Sequence, residues 1–119
     1  WTEKIKEAYR PAAPGVLELE KKIGNNSDGE VLRRRSVFQE HREEIFKVVN
    51  ELPKAEEIIE ILKSMEAPYY PNQINVSEEV FARGIYYAKD LRNRFGLLQI
   101  LFDLDLQEEF IQSLIQEIY

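Results

Sequence analysis

The feature that most limits what this chain can become is the spacing of its apolar residues. They recur at intervals of three and four along nearly the whole length, and no run alternates apolar and polar residues as a half-buried strand would. Phe38, Ile45, Val49 and Leu52 fall seven, four and three apart, one face of a helix running from about Glu30 to Leu52. Ile58, Ile61, Leu62 and Met65 form a stripe on the next helix, Lys54 to Glu66. Phe81, Ile85, Ala88, Leu91 and Phe95 predict the buried side of a third. Leu97, Leu98 and Leu101, then Leu106, Phe110, Leu114, Ile115 and Ile118, continue the pattern to the end. The expected fold class is all-α, a bundle of about five helices forming one domain over residues 1–119.

Punctuation supports that division. Pro11 ends a short opening helix, and Pro14 suits the first turn of the next, because a first-turn N–H has no partner in any case. Gly24-Asn25 reads as a stop, and residues 24–30 as a loop. Pro53 closes one helix or opens another. Pro68 and Pro71 bracket an extended connector, and Ser77 is placed to cap the helix led by Glu78 and Glu79.

Composition removes several function classes. There is no cysteine, so a disulfide framework, a thiolate metal site and a thiol nucleophile are excluded. His41 is the only histidine, which excludes a metal site built from several. The formal charge of -6 argues against nucleic acid or an anionic membrane as a partner. Residues 95–119 hold five acids and no base, and read as a solvated acidic face or as a surface for a basic partner.

Few residues suggest chemistry. A calcium loop with Gly29 in sixth place would start at Gly24 and end at Arg35, neither of which can ligate the ion. Arg33, Arg34 and Arg35 could grip an anion, but Glu30, Glu40, Glu43 and Glu44 favour pairing within the helix. His41, beside the apolar stripe, is expected to be partly buried with a hydrogen-bond partner. Asn25 and Asn75 match the glycosylation acceptor pattern, which turn and cap chemistry explains equally well. Catalytic, cofactor-binding and metal-binding residues are therefore expected to be none.

The segment from Ala67 to Leu106 carries a resemblance. Pro68 and Pro71 precede an Ile74-to-Ser77 helix entry; Lys89, Leu91, Arg92, Arg94 and Phe95 follow, and Asp103-Leu104 lies near the end. Tyr9 to Ala13 and the helix holding Arg33 to Arg35 add to it. In this the chain resembles the C-terminal helical part of sn-glycerol-1-phosphate dehydrogenases, of the bacterial arabinose-operon-associated type, within the iron-containing alcohol dehydrogenase and dehydroquinate synthase superfamily.

The resemblance implies a cytoplasmic two-domain parent that reduces dihydroxyacetone phosphate with NAD(P)H and a divalent metal, nickel or zinc. The nucleotide-binding half and the aspartate and two histidines that hold the metal would lie upstream of Trp1. The chain opens on Trp1, with Met65 as its only methionine, and is expected to be a piece of that longer protein. By itself it is expected to be inert, to bind no cofactor, and to expose an apolar surface through which it self-associates. Its partners would be the missing N-terminal half and further copies of itself. Arg92 and Arg94 are weak candidates for a place near the substrate phosphate, or for pairing with Asp90 and the acidic tail. The competing expectation is a non-enzymatic helical protein-interaction module.

Overall fold

A computed structural model describes residues 1–119 and contains helices only. The α-helices are α1 (Thr2–Tyr9), α2 (Ala13–Ile23), α3 (Asp28–Glu40), α4 (Arg42–Val49), α5 (Ala55–Ser64), α6 (Glu78–Ala88), α7 (Leu97–Asp103) and α8 (Gln107–Ile118). Single 3-10 turns cover Arg10–Ala12 and Pro71–Ile74. No helix is long and apolar enough to cross a membrane.

The all-α class therefore holds, with shorter and more numerous segments than the periodicity suggests. The 30–52 pattern is divided at His41, which ends α3 and precedes α4 with φ -106° and ψ 24°. No proline or glycine marks that break, and nothing in the local sequence explains it. The 97–119 pattern is divided at Asp105, whose cause is visible. Asp105 takes φ +57°, its N–H donates to the Phe102 carbonyl, and the Leu106 N–H donates to the Leu101 carbonyl. Those two bonds close a Schellman stop, with an aspartate in the position glycine usually holds. Glu66 ends α5 in the same way at φ +55°, with the Ala67 N–H on the Leu62 carbonyl. Glycine does the work after α2, where Gly24 has φ +70° and donates to the Glu20 carbonyl. The start of α6 is the expected one: Ser77 Oγ accepts from the Val80 N–H at 3.4 Å.

The apolar core is small. Ile5, Ala13 and Val16 are buried together between α1 and α2, with Tyr9, Leu17 and Tyr87 packed round them. Ile111 of α8 is buried against the same half of the molecule. Tyr9 and Tyr87 meet edge to face at 6.1 Å, and the Tyr9 hydroxyl donates to the Tyr87 carbonyl. Burial pushes the Tyr9 pKa up to about 12, with the negative charge of Asp90 adding to the effect.

Beyond that core the chain opens out. Its radius of gyration is 16.4 Å, against about 13.5 Å for a tightly packed domain of this length. The stripe predicted for residues 81–95 is buried only in part, because α6 stops at Ala88 and leaves Leu91 and Phe95 exposed on the following loop. No other element packs along α5, and Phe46, Val49, Leu52, Ile58, Ile61 and Met65 stand exposed on α4, α5 and the turn between them.

A core this small makes each member costly to lose. Ile5→Ala is expected to destabilise the chain by about 3 kcal/mol, whereas Leu97→Ala, at an exposed site, changes stability by less than about 0.5 kcal/mol. Urea unfolding of the two variants measures the contrast, and equal effects would place the core elsewhere.

Candidate functional site

Nine residues are buried, and five of them are polar or charged: Arg34, Lys89, Gln99, Asp103 and Gln107. Four of the five belong to one hydrogen-bonded layer. It joins the α2–α3 loop to α3, to the end of α6 and to α7.

The layer begins at Gly24. Its left-handed turn brings Asn26 back over the end of α2, where the Asn26 N–H donates to Glu20 Oε1 at 2.7 Å. The Asn26 side chain then becomes a hub. Its Nδ2 donates to Asp90 Oδ1 at 2.9 Å, while its Oδ1 accepts from Lys89 Nζ at 3.1 Å and from Gln99 Nε2 at 3.4 Å. Lys89 also pairs with Asp90 at 2.8 Å, and its ammonium lies 3.9 Å from the centre of the Phe102 ring. A lysine this deeply buried needs that combination of counter-charge, amide oxygen and aromatic face.

Gln99 hands the layer on to Asp103, donating to its Oδ1 at 3.0 Å. Asp103 receives the Arg34 guanidinium in a two-pronged grip, Nε on Oδ2 and Nη2 on Oδ1 at 2.8 Å. Arg34 Nη2 also donates to the Asn25 carbonyl at 2.6 Å, and Nη1 lies 3.3 Å from Glu30 Oε1. The bonds to Asp103 hold the Arg34 pKa above even its usual high value, against the opposing effect of burial. Arg35 supports the same corner from outside, donating to the Asp103 carbonyl and pairing with Asp105. Arg33 pairs with Glu30 on the surface, and its hydrogen bonds hold the Glu30 carboxyl below the usual carboxylate range.

The arginine triplet thus has three fates. Only Arg33 pairs solely within its helix, as the sequence suggested. Asp103, expected on a solvated acidic face, is buried instead, because Arg34 compensates its charge. His41 is exposed rather than partly buried, although its Nδ1 does meet Glu44 at 3.2 Å.

Arg92 and Arg94 lie outside the layer. They sit on the loop that links α6 to α7, where the Arg94 N–H donates to the Arg92 carbonyl across a tight three-residue turn. Helical spacing therefore does not govern which way they face. Both are exposed, and neither forms an ion pair, because Asp90 is taken by Lys89 and Asn26. Asn93 between them ties the loop to Asn25 at 3.3 Å. Phe95, next along, forms one wall of an open groove of about 310 Å³ with Arg33, Val37, Phe38 and Ile45.

No buried side-chain nitrogen or oxygen lacks a partner. No three of the chain's carboxylates and its one imidazole converge as a metal site would require, and the chain's glycines never form a phosphate-cradling cluster. What the arrangement does is fasten the Arg92–Phe95 loop to α3 and α7. No family model, curated protein or solved structure matches the chain.

The layer missed by sequence reasoning spans 69 positions between Arg34 and Asp103, and no local pattern encodes it. The one available signal was charge: a basic triplet on α3 and an acid-only C-terminal segment.

Removing one half of a buried ion pair leaves the other half unpaired. Arg34→Met or Asp103→Leu alone is expected to cost about 3–5 kcal/mol, and the double variant markedly less than the sum. Urea unfolding of the four proteins gives the coupling directly. Additive losses would show that the pair is not the joint described here.

Proposed function

We propose that this chain is the C-terminal helical portion of an NAD(P)-dependent sn-glycerol-1-phosphate dehydrogenase, and that its role there is to scaffold rather than to react. One coincidence carries the reading. Lys89 and Asp103, both in the segment that resembles those enzymes, are the buried charges on which the polar layer is built. The Arg92–Phe95 segment of the same resemblance is the loop that this layer fastens. A segment with no free catalytic group makes sense if its work is to hold that loop in place.

In the parent, the upstream half would bind NAD(P)H and supply the aspartate and two histidines for nickel or zinc. The metal's contribution, when bound, is to polarise the ketone of dihydroxyacetone phosphate toward hydride addition. This chain's residues would do something different. Arg34, Asn26, Lys89 and Asp103 would fix the loop, and Arg92 or Arg94, unpaired and exposed, would offer a guanidinium to the substrate phosphate. The parent would be cytoplasmic and homo-oligomeric.

The second reading is a non-enzymatic helical interaction module. The exposed apolar residues of α4 and α5, Phe46, Val49, Ile58 and Ile61 among them, favour it, since exposed apolar surface is what a partner covers.

The reading is tested on the gene's complete product. It is expected to oxidise NADH or NADPH in the presence of dihydroxyacetone phosphate and nickel or zinc, and the 119-residue chain alone to show no turnover. Arg92→Ala or Arg94→Ala in the complete product is expected to raise KM for the phosphate substrate about tenfold or more. A gene encoding no nucleotide-binding half and no Asp/His/His set before Trp1 would overturn the assignment and favour the module.

A further inference from the structure

We infer that the cleft between α1, α6 and α8 is a binding site for a small zwitterion, a free α-amino acid with an apolar side chain. The cleft has a volume of about 360 Å³, at the lower end of the roughly 300–1,000 Å³ of small-molecule sites. It shares no residue with the polar layer or with the Arg92–Phe95 loop, and the inference does not depend on the dehydrogenase reading.

The walls of the cleft are pinned to one another. Gln107, buried at the start of α8, donates to the Tyr86 carbonyl at 2.8 Å and so holds α8 against α6. Tyr9 holds α1 against the same helix, its hydroxyl donating to the Tyr87 carbonyl. The cleft is therefore formed before a ligand arrives, and binding need not order it. Its apolar surface comes from Ala82 and Tyr87 of α6 and from Ile111 of α8, which is 5% exposed.

Lys4, Arg83 and Glu108 bring three charges to this cleft. Lys4 and Glu108 form no ion pair, and Arg83 has only a loose one, with Glu79 at 3.6 Å one turn back along α6. Those open charges decide what the cleft can hold. A phosphate or a simple carboxylate would meet Lys4 and Arg83 but be opposed by Glu108. A simple amine would meet Glu108 but be opposed by two cations. A neutral molecule would strip water from all three charges and pair with none. A zwitterion answers both signs. Its carboxylate takes the Arg83 guanidinium and the Lys4 ammonium, and its ammonium takes the Glu108 carboxylate. Its side chain then covers Ala82, Ile111 and the Tyr87 ring, which gives an apolar amino acid the advantage over a polar one.

Titration of the nitrogen-15-labelled 119-residue chain with L-phenylalanine tests this. Saturable shifts are expected at the backbone amides of Ala82, Arg83, Tyr86 and Ile111, with a dissociation constant of about 1 mM or tighter. The same acid without its amino group, 3-phenylpropanoate, is expected to bind about tenfold more weakly. Glu108→Gln is expected to abolish that preference, and Arg83→Gln to weaken both ligands, while the rest of the spectrum keeps its folded dispersion. The absence of saturable shifts at these amides up to about 20 mM would overturn the inference. So would equal binding of the two ligands by the unaltered chain, or a preference for L-phenylalanine that survives Glu108→Gln.

Discussion

The two-pronged bond between Arg34 and Asp103 is the constraint on which the outer half of this molecule depends. The apolar core gathers α1 and α2 with parts of α6 and α8, and it does not reach α3 or α7. Those two helices are joined chiefly by polar groups. A polar joint has different properties from an apolar one. It is directional, because guanidinium and carboxylate must meet in one plane, and it tolerates no missing member, because each buried charge depends on the other. Asn26, Gln99 and Lys89 extend the same logic inward, each satisfying a group that would otherwise be buried alone.

That joint explains the shape of the loop after α6. Lys89 and Asp90 turn into the layer, α6 stops at Ala88, and the chain crosses to Gly96 with Asn93 tied to Asn25. Arg92, Arg94 and Phe95 are left outward on a segment anchored at both ends. A loop whose flanks are fixed, and whose arginines are not spent on neighbours, can present charge at a defined place.

Much of the fold was legible because periodicity is a local property. The helical class, the Gly24 stop, the Ser77 cap and the start after Pro53 each follow from a few adjacent residues. The stop near Glu66 was legible from Pro68, whereas the break at Asp105 was hidden because a carboxylate residue took the left-handed position that glycine usually signals. The polar layer was hidden for a different reason. Asn26 looked like a turn residue and Asp103 like a surface acid, and only the approach of α3 to α7 turns them into partners. The exposed apolar residues of α4 and α5 show the same limit in reverse. Their spacing marks one side of each helix as apolar, but spacing does not say whether that side meets the rest of this chain.

The exchange rates of individual arginine Nε–H groups, read by nuclear magnetic resonance, test the central claim most directly. If Arg34 closes a buried joint with Asp103, its Nε–H is expected to exchange with solvent at least a hundredfold more slowly than those of the exposed Arg92 and Arg94. Equal exchange at all three positions would mean that the joint is open in solution, and would contradict the account of how α3, α7 and the Arg92–Phe95 loop are held together.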